Sequence, residues 1–175
     1  MRYRLELALA AAVLCATPLP ARASFAVSSI GVGPHGYDFL IGTWSCKNTA
    51  PSALEGPSEV NATISRAANG ALSFHSVGAA FEAMGYIVYV AKTKTWWNPS
   101  MLATGAYGTE SSQGTGRTTM WSGPFTDPTT GKTMQVRDTY TFPSATTYTD
   151  LYQAKVGGTW KTEGNTTCTK ALKLR

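Results

Sequence analysis

Tyr37-Asp38-Phe39-Leu40-Ile41-Gly42-Thr43-Trp44-Ser45-Cys46 is the stretch on which the reading of the chain turns. Tyr37 to Leu40 has the composition of a single aromatic helical turn, with Asp38 as an approximate cap. Ile41 to Lys47 then reads as a first β-strand. Gly42 lets the backbone bend close to its neighbours, Trp44 offers a large anchor for burial, and Cys46 is one half of a staple.

Downstream the pattern is all strand. Ser58 to Ala67 alternates Val60, Ala62 and Ile64 with Glu59, Asn61, Thr63 and Ser65, the period of two that marks a half-buried strand. Asn69-Gly70 follows, a dipeptide suited to a tight hairpin, and Ala71 to Gly78 returns. Further strands are predicted at Met84 to Ala91, around Thr95-Trp96-Trp97, at Met101 to Thr109, Gly116 to Phe125, Lys132 to Phe142, Thr146 to Lys155 and Thr159 to Lys170. Asn98-Pro99 reads as an interruption, and Glu110 to Gly114 as a polar loop. About nine or ten short strands with short connections favour an all-β, single antiparallel up-and-down barrel, which leaves no exposed sheet edge. A β-sandwich is the alternative.

The N-terminus stands apart. Arg2 and Arg4 precede the apolar run Leu7 to Ala16, and Ala21-Arg22-Ala23 has the form of a cleavage site. Residues 1–23 thus read as a secretory signal peptide, too short in its apolar part for the roughly 20 residues that span a bilayer. Residues 24–36 form a Gly-rich flexible lead-in and 37–175 the barrel domain. The expected location is exported, periplasmic or secreted, in a bacterium, with no integral membrane segment after cleavage. The leader holds three arginines and one glutamate, so cleavage lowers the formal charge from +5 to +3. The remaining cations are scattered and form no basic stripe, which argues against nucleic acid as a partner.

Of three cysteines, Cys46 and Cys168 survive cleavage. Closing the barrel makes the first and last strands neighbours and would bring these two together as a disulfide, the expected state in an oxidising compartment. Two free thiols are the alternative; no Cys or His lies close enough in sequence to suggest a metal site. Trp160 shares parity with Cys168, as Trp44 does with Cys46, so Gly42, Trp44 and Trp160 are expected as structural anchors of the seam unless a bulge intervenes.

Gly42-x-Trp44 after an aromatic turn resembles the lipocalin and wider calycin signature. Together with Phe39-Leu40-Ile41, Gly85-Tyr86-Ile87 before Lys94-Thr95-Trp96, Arg137-Asp138-x-Tyr140-x-Phe142 and Trp160-Lys161, the chain resembles a bacterial family of exported, lipocalin-like proteins of unknown function. The resemblance implies a barrel of roughly ten strands and carries over no activity.

Candidate chemistry is sparse. No nucleophile elbow, phosphate loop or metal-ligand spacing is present, so no catalytic, metal or cofactor site is assigned. His75 lies within a strand whose inward face is ambiguous. Asp138 and Asp150 fall on apolar or aromatic parities, with Tyr140 beside the first, and so point toward the interior. Tyr86, Trp96, Trp97 and Trp121 give an aromatic middle that serves as packing or as a cavity lining. These eight residues are the candidates for ligand contact. The reading they favour is a barrel that binds a small apolar or aromatic molecule. The alternatives are a structural or interaction module of the cell envelope without ligand, and an acid/base enzyme using interior carboxylates.

Overall fold

The computed structural model describes residues 36–50, 57–114 and 116–171. The signal peptide and nearly all of the lead-in expected from the sequence lie outside the described residues. Ten strands follow one another in an antiparallel meander: β1 Gly42–Asn48, β2 Glu59–Arg66, β3 Leu72–Gly78, β4 Phe81–Val90, β5 Thr95–Leu102, β6 Tyr107–Ser112, β7 Thr118–Asp127, β8 Lys132–Ser144, β9 Thr147–Val156 and β10 Thr159–Lys170. Each pairs with its sequence neighbours, and β1 pairs with β10 to close the barrel. The up-and-down barrel expected from the alternation is therefore the fold, and the sandwich is set aside.

Alternation explains which face goes in. In β1, Trp44, Cys46 and Asn48 are buried while Thr43, Ser45 and Lys47 are exposed. In β10, Gly164, Thr166 and Cys168 are buried while Asn165, Thr167 and Thr169 are exposed. Cys46 lies directly opposite Cys168 in the β1–β10 register, and the two are bonded. Such a bond belongs in an oxidising, extracytoplasmic setting.

The opening stretch closes one end of the barrel. Asp38–Leu40 forms one 3-10 turn, and Asp38 pairs with Arg66 at the end of β2. Tyr37 is buried, edge-on to Trp96 at 4.6 Å and 5.7 Å from Trp121. Phe39 meets Phe142 edge-on at 5.1 Å. These rings, with Leu40, Trp44, Ile64 and Leu72, form one apolar layer of the interior. A second layer holds Leu102, Ala106, Phe125, Val136, Tyr152 and Ala154, with Phe81, Ala83 and Met134 against it.

At the seam, the Trp44 indole N–H donates to the Leu40 carbonyl at 2.7 Å, and its ring meets Tyr148 at 5.0 Å. Lys170, opposite Trp44, lays its ammonium 5.2 Å from the Trp44 ring centre and donates to the Phe39 carbonyl at 2.8 Å. Gly42 makes this possible. Its φ of +144° is a conformation side chains avoid, and a Cβ there would fall 2.6 Å from the Lys170 side chain.

Three sequence expectations are corrected. Trp160 does not share the inner face with Cys168, because a bulge between Thr162 and Gly164 reverses the parity of β10. Trp160 instead pairs with Lys155 and stacks under the Arg137 guanidinium at 4.4 Å, and Arg137 donates to Gln153 at 2.7 Å. Lys170, not Trp160, completes the seam around Trp44. Pro99 does not end its strand: it pairs with Thr109 inside β5. Its missing N–H falls where the β4–β5 ladder skips from Gly85↔Ser100 to Val88↔Trp97. Finally, Asn69-Gly70 lies in a longer connection, a 3-10 turn at Ala68–Gly70 closed by the Ala67 N–H to the Ala71 carbonyl at 2.8 Å.

Candidate functional site

Between the two apolar layers lies a cavity of about 220 Å³. Its lining is two-sided. One wall, from β2 to β5, is largely apolar: Val60, Ala62, Ile64, Phe74, Phe81, Ala83, Ile87 and Leu102. The other, running from β5 through β10 to β1, sets Asn98, Glu110, Asp138, Tyr140, Asp150, Thr166 and Asn48 among apolar residues such as Phe125, Val136 and Phe142.

Strand register assembles the polar wall from residues far apart in sequence. Asn98 pairs with Glu110, Tyr140 with Asp150, Asp150 with Thr166 and Thr166 with Asn48. Glu110 and Asp138 meet across β7, although that strand runs between theirs. Gly123 lies on the strand between them. It falls on the inward parity between buried Trp121 and Phe125, and a Cβ there would collide with the backbone of Thr109 and Glu110. The bare backbone of Gly123 thus lets β6 approach β7 closely at Thr109 and Glu110.

Electrostatics follow from burial. Glu110 is only 7% exposed, and loss of solvent raises its pKa above the ordinary 4.5, partly offset by the bond to Asp138. The Tyr140 hydroxyl is pushed well above 10, first by burial and then by the negative charge of Asp150, Asp138 and Glu110 and by Tyr148. Glu110 Oε1 and Asn98 Oδ1 are buried without a hydrogen-bond partner among the described residues. The described lining contains no Lys, Arg or His, and Asp138 and Asp150 each hold an interaction partner. Nor, among these residues, do three or more His, Cys, Asp or Glu come together as a metal cluster.

A raised carboxyl pKa makes stability fall as pH rises. The folded state holds the Glu110 proton more tightly than the unfolded chain does, so its penalty is absent below about pH 4 and grows as pH climbs from the unfolded value toward the folded one. Glu110→Gln is isosteric and can still donate to Asp138. Its melting temperature is expected to match the parent at pH 4 and to exceed it by a few degrees at pH 8, the shift that about 1 kcal/mol produces in a domain of this size. Equal melting temperatures at pH 8, read by circular dichroism, contradict this account.

Of the sequence candidates, Trp121, Asp138, Tyr140 and Asp150 all reach the cavity. Trp96 is buried between Tyr37 and Tyr89 but does not line it. His75, Tyr86 and Trp97 point outward. His75 is half exposed and pairs with Glu82 on the outer face at 2.7 Å. It shares parity with outward Ser73 and Val77, whereas Leu72, Phe74 and Ser76 turn inward. The sequence reading missed Glu110 by placing it in a loop. It lies inside β6, whose inner face is Gly108, Glu110 and Ser112, so the strand shows no apolar alternation. The available signal was Gly105, whose positive φ turns the chain between β5 and β6 and restarts the parity count.

No protein-family model matches this chain, and no curated protein matches it.

Proposed function

We propose that the barrel binds a small molecule in its interior, with an apolar or aromatic body against the β2–β5 wall and a polar end toward Glu110, Asp138 and Asp150. One observation carries this reading: a cavity of about 220 Å³ is lined mostly by apolar and aromatic side chains, with hydrogen-bonding groups concentrated on the side of Asn98, Glu110, Asp138 and Asp150. Ligand sites have this composition, mostly apolar with a few convergent polar groups, and run from roughly 300 Å³ upward. The guest is therefore compact. The resemblance of Gly42-x-Trp44 and the later motifs to exported lipocalin-like proteins supports the same reading, as does a barrel closed by a disulfide across its seam.

An acid/base enzyme is the second reading, favoured by Glu110, Asp138 and Asp150 lining one cavity. His75 takes no part in it, since it lies outside the barrel. Native mass spectrometry of protein purified without denaturation tests the first reading. A retained organic mass, displaced on unfolding and released unchanged, supports binding; release as a converted product supports catalysis. Only protein and water masses, with Trp121 fluorescence unmoved by any compact aromatic compound, overturn both.

A further inference from the structure

The geometry points to a metal site on the outer wall of the barrel, where His75, Met84 and Met101 bind a soft monovalent cation, copper(I) or its analogue silver(I). The site lies outside the cavity, so the inference stands apart from the binding reading above.

Strand register builds the site. His75 on β3 lies directly opposite Met84 on β4, and Met84 lies directly opposite Met101 on β5. All three side chains face outward, with Met84 45% and Met101 47% exposed. One cross-strand row thus carries an imidazole and two thioethers on three successive strands. Opposite side chains on a sheet sit about 5 Å apart at Cβ, close enough for the three to meet around one ion. Each methionine has three rotatable bonds with which to bring its sulfur toward the middle of the row. Both ladders are regular here, with Phe74↔Gly85 and Ser76↔Ala83 on one side and Ala83↔Leu102 and Gly85↔Ser100 on the other. Paired backbone therefore holds the three positions in place.

His75 supplies a second, independent observation. Its Nε2 donates to Glu82 Oε1 at 2.7 Å. A carboxylate on one ring nitrogen fixes the imidazole and leaves Nδ1 with the lone pair that a metal takes, the support that most histidine ligands have. Charge agrees with this. β3, β4 and β5 contain no Lys or Arg, and Glu82 is their one carboxylate, so these strands attract a cation and do not repel it.

Donor type decides which metal. Thioether sulfur is soft and selects copper(I), whereas magnesium, calcium and manganese take oxygen donors. Cys46 and Cys168 are bonded to each other and offer no thiolate. In an oxidising compartment, where thiols pair, thioether is the soft sulfur that remains. Among the described residues no three His, Cys, Asp or Glu come together, so a harder metal has no comparable site.

The test offers copper(I) anaerobically to the whole protein as its bicinchoninate complex, and follows silver(I) by NMR of the methionine methyl groups. The protein is expected to withdraw one copper(I) ion from the chelator. Silver(I) is expected to shift the Met84 and Met101 methyl signals and to leave those of Met120 and Met134 in place. Met84→Leu, Met101→Leu and His75→Ala should each weaken copper(I) binding at least tenfold, and Glu82→Gln about tenfold, the usual effect of removing a ligand's carboxylate partner. Met120→Leu is the control: Met120 is 57% exposed on β7, but the row reaches that strand at Thr126, and copper(I) binding should not change. The methyl shifts are read on the parent, so the test does not depend on the folding of any variant. The site is overturned if no copper(I) leaves the chelator, if the Met84 and Met101 methyl signals stay still, or if Met84→Leu and Met101→Leu bind as the parent does. If zinc(II) shifts the same methyl signals, the assignment to a soft cation is overturned.

Discussion

Cys46→Ser is expected to lower the unfolding free energy by about 4–5 kcal/mol, the chain-entropy contribution of a bond closing a loop of this length. Residues 46 and 168 are 122 positions apart, so the bond confines nearly the whole barrel sequence in the unfolded state. The effect is larger here than in an open fold for a topological reason. β1 and β10 are the two ends of the meander, and their pairing is the most non-local in the barrel. Every other ladder is held by a connection in the chain itself, whereas this one has only its hydrogen bonds, its side chains and the disulfide. With a urea dependence of about 2 kcal/mol per molar, the midpoint should drop by about 2 M. Cys168→Ser should do the same, and reductant should shift the parent toward the variants while leaving the variants unmoved. Because Cys46 and Cys168 are 5% and 1% exposed, the reductant is expected to act slowly, through opened molecules. Parent and variant midpoints that coincide under oxidising conditions would falsify this account of the seam.

Trp44→Ala should cost about 3–5 kcal/mol, the range for emptying a large aromatic site in a core. Trp44 is 1% exposed. Its loss removes the contact with Tyr148, the donor to the Leu40 carbonyl and the ring under Lys170. Trp44→Phe separates these contributions. Phenylalanine keeps most of the apolar contact but leaves the Leu40 carbonyl without its donor, a loss of about 1 kcal/mol beyond the change in size. Urea titrations of both variants provide the comparison, and an alanine variant within 1 kcal/mol of the parent contradicts the seam described here. Trp44 and Cys46 lie on one face of β1 two residues apart, so their effects should not add simply. The Trp44→Ala, Cys46→Ser double variant measures their coupling.

The fold was legible where one face of a strand is apolar and the other polar. Val60, Ala62 and Ile64 against Glu59, Asn61 and Thr63 give β2 its face, and Met134, Val136, Asp138 and Tyr140 give β8 its own. The inward course of Asp138 and Asp150 followed from the same parity. Legibility failed where parity was interrupted. The bulge between Thr162 and Gly164 sends Trp160 outward, and the turn at Gly105 restarts the count so that Glu110 enters a strand rather than a loop. His75 was ambiguous for a related reason, since exposed Val77 gives an apolar residue to the outer face of β3.

Sequence alone determined the class of the molecule: alternation and turn chemistry require antiparallel strands, short connections make a meander, and two terminal cysteines make closure natural. These are local properties, set by backbone dihedrals and by the period of side chains along one strand. Only the tertiary structure decided that Glu110, Asp138 and Asp150 line one cavity and that Gly123 lets β6 lie close against β7. That arrangement depends on register summed around a closed sheet. A single bulge or turn moves a residue to the opposite face, and nothing in the neighbouring residues of one strand records which residues the other strands place beside it.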